Sequence, residues 1–599
     1  MTRTPLRPLA RVLSARARGE NPDVIERENI HARHEQMRDK QRLRAEGRLL
    51  VMCAFFFMAF MVVALQMESV SSSDPTEPRA ASAGNGAAAA DARILNQRAD
   101  IVDRNGNILA TNMATYSLYA QPQQMIDPVR VAKDLKKIFP ELDEARMVRQ
   151  FTGKRTFVWI RKQLSPEQMQ KVHDIGSPGL LFGPREMRLY PNGHLASHIL
   201  GGVRYGREGV DSAELVGVGG IEKVYDKWLR DPANGGKQLV LSLDLTAEAT
   251  VREVLQTGMK MMNAKGAAAI LMNANTGEIV AMTSLPDFNP NRRPAAVPSV
   301  HPGDSPLFNR AVQGLYELGS TFKLFVLAQA LQLGLVTPDT VIDTKPFRIG
   351  GFLIHDFHNY GSKLSVTKIL VESSNIGAAR IAQMIGPQKQ EAFLKTLGLL
   401  SPTHVQLIEA EGAKPLAPPK WTDVASTTIA YGHGLAVSPL NLAVAYASIL
   451  NGGHRVYASL IKSDHPKIGP QIISPQVSAT ARAILRKVVT DGTATMADVK
   501  GYDVAGKTGT ADKPDPQGGY YHDKVVSTFA GAFPANDPKY VLVVMLDEPS
   551  DNIGSHPKRT AGWTAVPVAA EIIRRVAPLL GMRPQVETTS LNGLKIAQN

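Results

Sequence analysis

The chain is 599 residues long, too many for one ordinary hydrophobic core, so two or more folded units are expected. Hydrophobic residues make up 44% and charged residues 21%, which excludes wholesale disorder. The single cysteine, Cys53, excludes an internal disulfide, no His/Cys cluster has metal-ligand spacing, and a net charge of +13 suits an anionic partner without choosing among nucleic acid, lipid and polymer.

Residues 1–48 hold twelve Arg or Lys against seven Asp or Glu, a basic tail. Leu49–Met67, LLVMCAFFFMAFMVVALQM, carries no charge and is long enough to cross roughly 30 Å of hydrocarbon as a helix. A buried core helix is the competing reading; apolar residues on all faces and basic residues abutting one side favour a membrane span. Arg42, Arg44 and Arg48 precede the run and Glu68, Asp74 and Glu77 follow it. The positive-inside rule then predicts a cytoplasmic N-terminus and an exported remainder, which argues against a nucleic-acid partner. The long stretch before the run, and the lack of a small-residue cleavage site close behind it, argue against a cleaved signal peptide. Residues 68–93 are small, polar and aperiodic and read as a flexible linker.

The stretch RADIVDRNGNILATN, Arg98–Asn112, sets apolar pairs on either side of Asn105-Gly106-Asn107, a hairpin signal. Residues 94–236 read as one mostly β non-catalytic module. Leu239–Met262 predicts a short strand and a long amphipathic helix. Two strands follow near Ala268–Met272 and Ile279–Ser284, with a turn at Asn275–Gly277. VVSTFAGAFP and YVLVVMLDEP predict two more strands, and AVPVAAEIIRRVAPLLG a closing helix. Strands at both ends with helices between predict an α/β domain over 237–584, its sheet completed by the C-terminal part. Residues 585–599 form a polar tail.

Chemistry concentrates in YELGSTFKLF, Tyr316–Phe325. Apolar residues after Ser320 recur at helical spacing, so Ser320 is expected at a helix N-terminus, where free N–H groups favour developing negative charge. Lys323 lies one turn on, beside Ser320, and a desolvated lysine there can accept the serine proton. The spacing alone is weak, since Ser365/Lys368, Ser459/Lys462 and Ser555/Lys558 share it. A second element, Ser373-Ser374-Asn375, precedes another apolar helix; Ser373 can relay a proton and Asn375 hold an amide, though an ordinary N-cap is the simpler reading. The third, Lys507-Thr508-Gly509-Thr510, on an edge strand, could offer Lys507 to a carboxylate and the Thr510 N–H to an oxyanion; a turn with a stray lysine is the plain reading. Only Ser320, Ser373 and Lys507 supply all three elements in order and well separated.

This triple pattern is shared by penicillin-binding proteins and class A β-lactamases. The chain resembles the class B penicillin-binding proteins, and most of all the division-specific, FtsI-type peptidoglycan D,D-transpeptidases. The resemblance rests on RADIVDRNGNILAT and GGIEKVYDKWL before the catalytic domain, and on FNRAVQGLYELGSTFK, AYGHGLAVSPLNLAVAYASILNGG and VAGKTGTAD within it. Leu318 stands where the family commonly has proline, and Asn441 where it has glutamine.

The resemblance implies a transpeptidase fold, a five-stranded sheet with helices on both sides, behind a transmembrane helix and an elongated pedestal or dimerisation module. It implies acyl transfer without metal or organic cofactor. Ser320 would attack the penultimate D-Ala of a stem peptide with Lys323 as base, Ser373 as relay and Asn375 as an amide contact. The N–H groups of Ser320 and Thr510 would hold the oxyanion; Lys507, Thr508 and Thr510 would bind the carboxylate, with Gly509 in the same motif. β-Lactams would acylate Ser320. Expected partners are D-Ala-D-Ala stem peptides, β-lactams, the membrane, a SEDS-type glycan polymerase and other division proteins, at the septal inner membrane with the catalytic domain in the periplasm. A β-lactamase, a D,D-carboxypeptidase, an elongation-specific relative and a non-catalytic scaffold are the alternatives; the N-terminal anchor and large module argue against the first two, the intact motifs against the scaffold, and the elongation-specific type usually has a longer N-terminal module. The stretch between anchor and catalytic domain is too short and strand-like for a glycosyltransferase domain.

Overall fold

The computed structural model describes residues 98–585, except 209–212, 235, 297–300 and 552–557, together with scattered residues between 9 and 61. The chain divides into two units, Met1–Ala90 and Asp91–Asn599. In the first, Leu9–Ala17 is helical, as are residues 52–58, where Phe55, Phe56 and Phe57 are exposed. Among the described residues no helix is long and apolar enough to cross a membrane. The span expected at 49–67 falls partly outside them, and the linker 68–93 and nearly all of the tail 585–599 do so entirely.

Five antiparallel strands build the sheet that carries the site, in the order 505–514, 520–533, 540–547, 266–273, 279–285. The sequence order is therefore split: the first two strands of the domain lie at one side and the last three complete the sheet, as the strand pattern predicts. Every residue of Ile279–Leu285 and of Val541–Asp547 is buried, so both faces are covered. Helices Leu245–Met261 and Ala565–Leu579 pack on each other and on the sheet, and Pro439–Leu450, apolar on nearly every side, packs against strands 266–273 and 540–547. Burying a Val or Leu side chain contributes about 1.5–3 kcal/mol, so these continuous apolar runs are what hold the sheet. Strand 505–514 is left with one unpaired edge, which faces the turn Gly319–Phe322.

The preceding segment is not mostly strand. Strands 100–102, 108–120, 158–164 and 180–189 share a sheet, but helices Pro128–Ile138, Glu144–Phe151 and Pro166–His173 contribute almost as much. Each has the N-cap its sequence supplies: Asp127 accepts from the Arg130 N–H, Asp143 from Arg146, and Ser165 forms a capping box with Gln168. These helices are short, two to three turns, so their 3.6-residue period is easily lost among neighbouring strands.

The expected hairpin is present. Ile101 pairs with Ala110 across the turn, and Asp103 accepts from the N–H groups of Asn105 and Asn107, both at 2.8 Å. The other Asp103 oxygen accepts from the Leu245 N–H at 3.0 Å, at the start of the first catalytic helix. Strand 100–102 also pairs, in parallel, with Gln238–Val240, which leads into that helix.

Beneath the hairpin lies a buried ionic cluster. Arg98 donates to Glu222 Oε2 at 2.6 Å and to Asp226 Oδ1 at 2.8 Å; Arg188 donates to Glu222 Oε1 at 2.7 Å. Arg98 and Glu222 come from RADIVDR and GGIEKVYDKWL, the two non-catalytic segments that carry the resemblance. Replacing Glu222 with Ala leaves two buried guanidinium groups without their shared counter-charge. Glu222→Ala is expected to destabilise the protein by about 3–5 kcal/mol, read as a lower midpoint in urea unfolding of the full-length chain.

Candidate active site

The chain reaches the site through a 3-10 turn, Gly319–Phe322, that runs straight into helix Lys323–Gln332. Ser320 thus sits in the tighter turn before the α-helix rather than at its first α position. This turn lies directly on the unpaired edge of strand 505–514. A Cβ on Gly319 would come within 2.6 Å of the Thr510 carbonyl oxygen, and one on Gly509 within 2.2 Å of the Leu318 oxygen. Glycine at both positions lets two backbones meet without side chains between them, and at Gly319 it also accepts a φ of +55°. Leu318 is fully buried here.

Lys323 is 1% exposed and makes four polar contacts through Nζ. They are to Ser320 Oγ at 2.9 Å, the Ser373 carbonyl oxygen at 2.5 Å, Ser373 Oγ at 3.1 Å and Asn375 Oδ1 at 2.7 Å. Burial, reinforced by the charge of Lys507, pulls its pKa well below the ordinary lysine value; the carboxylate of Asp356 opposes this. A neutral amine has two N–H groups and one lone pair. The Ser373 carbonyl and Asn375 Oδ1 can only accept, so they take the two N–H groups. The lone pair is then left for the hydroxyls of Ser320 and Ser373.

Ser373 occupies the left-handed region, with φ +62°. The N-cap reading of this motif is fulfilled by its neighbour: Ser374 Oγ accepts from the Gly377 N–H at 2.9 Å and caps helix Asn375–Ile385. That leaves the Ser373 hydroxyl free to lie between two lysines, 3.1 Å from Lys323 Nζ and 3.0 Å from Lys507 Nζ. Lys507 is 0% exposed, and burial pulls its pKa down to about 7. It also reaches the carbonyl and hydroxyl oxygens of Thr508, both at 3.3 Å.

The structure therefore joins Ser320, Lys323, Ser373, Asn375, Lys507 and Thr508 in one hydrogen-bonded chain. Gly509 and Thr510 meet the catalytic turn through backbone, and the Thr510 hydroxyl accepts from the Ala561 N–H at 3.0 Å. Of the competing Ser-x-x-Lys pairs, Ser365 is an N-cap, accepting from the Lys368 N–H, and Ser459 bonds Ile461. Ser555 lies outside the described residues.

Three groups at the site escape sequence reasoning. Thr493 shares a hydrogen bond of 2.7 Å with the Thr508 hydroxyl and is 3.5 Å from Lys507 Nζ. Asp356 accepts from Ser374 Oγ and from the Ile376 N–H. Glu317, three residues before Ser320, accepts from the Gly434 N–H at 2.8 Å and the Tyr520 hydroxyl at 3.1 Å, and faces His433 Nδ1 at 3.2 Å. Only Glu317 carries a signal in the sequence, its place inside the YELGSTFK segment. Asn441, which replaces the family's glutamine, forms a capping box with Ser438 and donates to the Gly398 and Ser401 carbonyls.

A buried lysine with a depressed pKa beside a serine, a hydroxyl shared with a second lysine, and a strand edge with free backbone suit serine acyl transfer. Comparison with known proteins agrees. Residues 267–574 match the family model for the penicillin binding protein transpeptidase domain, and 93–255 that for the penicillin-binding protein dimerisation domain. The chain is 34% identical over 511 residues to a probable peptidoglycan D,D-transpeptidase FtsI of Caulobacter vibrioides, covering 83% of this chain and 84% of the relative. It is 28% identical to the peptidoglycan D,D-transpeptidase FtsI of Escherichia coli K12, covering 83% and 86%. A crystal structure of penicillin binding protein 3 from Mycobacterium tuberculosis, complexed with aztreonam, superposes with a TM-score of 0.62 at 25% identity, covering 82% of this chain and 97% of that one. The chain belongs to the class B penicillin-binding proteins, the family of serine-type peptidoglycan D,D-transpeptidases.

Proposed function

We infer that this chain crosslinks peptidoglycan stem peptides of the septal wall through an acyl-enzyme on Ser320. The observation that carries this reading is the 2.9 Å contact between Ser320 Oγ and a buried Lys323 whose two N–H groups are already committed. Ser320 Oγ attacks the penultimate D-Ala carbonyl while its proton passes to Lys323. The oxyanion is held by the N–H groups of Ser320 and Thr510. On collapse the C–N bond breaks, and the terminal D-Ala nitrogen recovers a proton from Lys323 by way of Ser373. The amine of a second stem peptide then attacks the ester carbon, loses its proton to the same base and releases Ser320, leaving the new amide crosslink. Asn375 contacts the substrate amide, and Lys507, Thr508 and Thr510 the carboxylate. A β-lactam enters by the same first step, but its opened ring stays attached.

In this reading residues 1–48 are a cytoplasmic tail, 49–67 a single inner-membrane span, 68–93 a linker, 94–236 the non-catalytic module, 237–584 the transpeptidase domain in the periplasm, and 585–599 a tail. The uncharged run at 49–67 and the basic residues before it support the anchor. A class B chain relies on a separate glycan polymerase; a SEDS-type enzyme and other division proteins are the proposed partners, through the span and the module.

Fluorescent penicillin should label the wild type once per chain, by intact mass, and Ser320→Ala not at all; labelling that survives in Ser320→Ala assigns the wrong serine. Lys323→Ala, with folding retained, should acylate about 10²–10⁴-fold more slowly. The two lysines also set a pH profile. Acylation needs neutral Lys323, so it falls on acidification through a pKa well below the usual lysine range. Carboxylate capture needs protonated Lys507, so the second-order rate should fall again as pH rises past about 7. A penicillin ester, without the carboxylate, should lose this alkaline limb; stopped-flow acylation from acid to alkaline pH reads both.

A further inference from the structure

Ser373 holds a left-handed backbone without being glycine, and something must keep it there. The end of helix Val366–Val371 closes on it, the Ser373 N–H reaching the Leu370 carbonyl at 3.3 Å and the Ser374 N–H the Ile369 carbonyl at 2.9 Å. A second restraint comes from outside the helix. One carboxylate oxygen of Asp356 accepts from the Ser374 hydroxyl at 2.7 Å and the other from the Ile376 N–H at 2.9 Å. These partners flank Asn375, and the neighbouring His355 carbonyl accepts from Asn375 Nδ2 at 3.4 Å. That bond fixes the amide with Oδ1 toward Lys323, which is how Asn375 claims one amine N–H.

Asp356 belongs to a loop that otherwise turns away from the protein. Its neighbours His355, Phe357, His358 and Asn359 are exposed, Phe357 by 80%. The loop is anchored separately, because Ile354 is buried against Ile376 and Ala379. The carboxylate is therefore a specific grip on the Ser373–Asn375 turn rather than the loop's means of attachment.

We propose that Asp356 is a positioning residue for acylation: it clamps the segment Ser374–Ile376 so that the Ser373 carbonyl and Asn375 Oδ1 are presented to Lys323. Without the clamp the start of helix Asn375–Ile385 loosens, and the two acceptors that direct the Lys323 lone pair at Ser320 move off. The charged groups acting on Lys323 are Lys507 from the edge strand and Asp356 from this loop, and they pull in opposite directions. Asp356 thus restrains the turn by hydrogen bonds and Lys323 by charge, and the two effects separate by substitution.

This inference rests on Ser320 and Lys323 acting as proposed above, so Ser320→Ala serves as the blank in every assay. The test compares Asp356→Ala and Asp356→Asn in the full-length protein, using stopped-flow acylation by fluorescent penicillin across pH, with melting temperature as a check on folding. Asp356→Ala should lower the acylation rate constant by roughly 10–100-fold with little change in initial penicillin affinity. Asp356→Asn can still accept from Ile376 and donate to Ser374 Oγ, so it should acylate within a few-fold of wild type. Having lost the negative charge, it should show its acid limb at lower pH. Wild-type acylation by Asp356→Ala would overturn the proposal. So would an Asp356→Asn protein that is as slow as the alanine variant, or one whose acid limb does not move. The asparagine variant decides the matter even if the alanine variant fails to fold. Labelling that persists in Ser320→Ala would instead overturn the choice of nucleophile.

Discussion

Two buried amines share one hydroxyl, and the rest of the site is arranged around that fact. Lys323 and Lys507 both reach Ser373 Oγ at about hydrogen-bond length, and among the described residues no carboxylate contacts either amine. Burial favours losing a proton from either amine, and the charge of Lys507 favours it further at Lys323. In the proposed reaction this crowding is what lets a lysine serve as the base. A site with one amine neutral and the other protonated offers a proton acceptor at the serine and a cation at the carboxylate pocket, and the hydroxyl between them connects the two.

Each half of that arrangement is secured by a different part of the fold. Lys507 is placed by the sheet: strand 505–514 pairs Lys507 with Ala530, and the next strands are buried on both faces. Lys323 is placed by a helix of almost wholly buried residues that a short 3-10 turn presses against the same strand. The glycine contacts between turn and strand bring two independently folded elements to backbone distance. A chemical step that tolerates little misplacement therefore rests on rigid elements, with loops left to trim it.

Much of this was legible in the sequence, and the reasons are specific. Ser320, Lys323, Ser373, Asn375 and Lys507 stand in motifs whose order survives any uncertainty about element ends. The five strands are long apolar runs separated by turn residues, so their positions could be read, and the late strands could be assigned to the early sheet. What could not be read depends on partners distant in sequence. Asp356 and Thr493 are single polar residues with no periodicity, and their roles exist only because a loop and a strand approach Ser374 and Thr508. The helices at 128–173 were missed for another reason: each runs only two or three turns between strands, although Pro128–Ile138 and Glu144–Phe151 are strongly amphipathic and their period was there to be read. Ser374 shows how a weak motif resolves: the cap falls on Ser374, and its neighbour Ser373 is the hydroxyl left between the two lysines.

The parallel pairing of strand 100–102 with 238–240 has a mechanical meaning. The chain leaves the N-terminal stretch at Arg98, makes the whole non-catalytic module as an excursion, and returns beside its own starting strand before entering the helix at Leu245. A pull on the chain before Arg98 acts at the N-terminal end of one strand, while the catalytic domain holds the C-terminal end of its parallel neighbour. The two strands are thus loaded in shear, with their hydrogen bonds sharing the force and the Asp103–Leu245 bond and Arg98 cluster in line behind them. Tension applied at Arg98 would reach the helix at Leu245 across a few ångströms of paired strand.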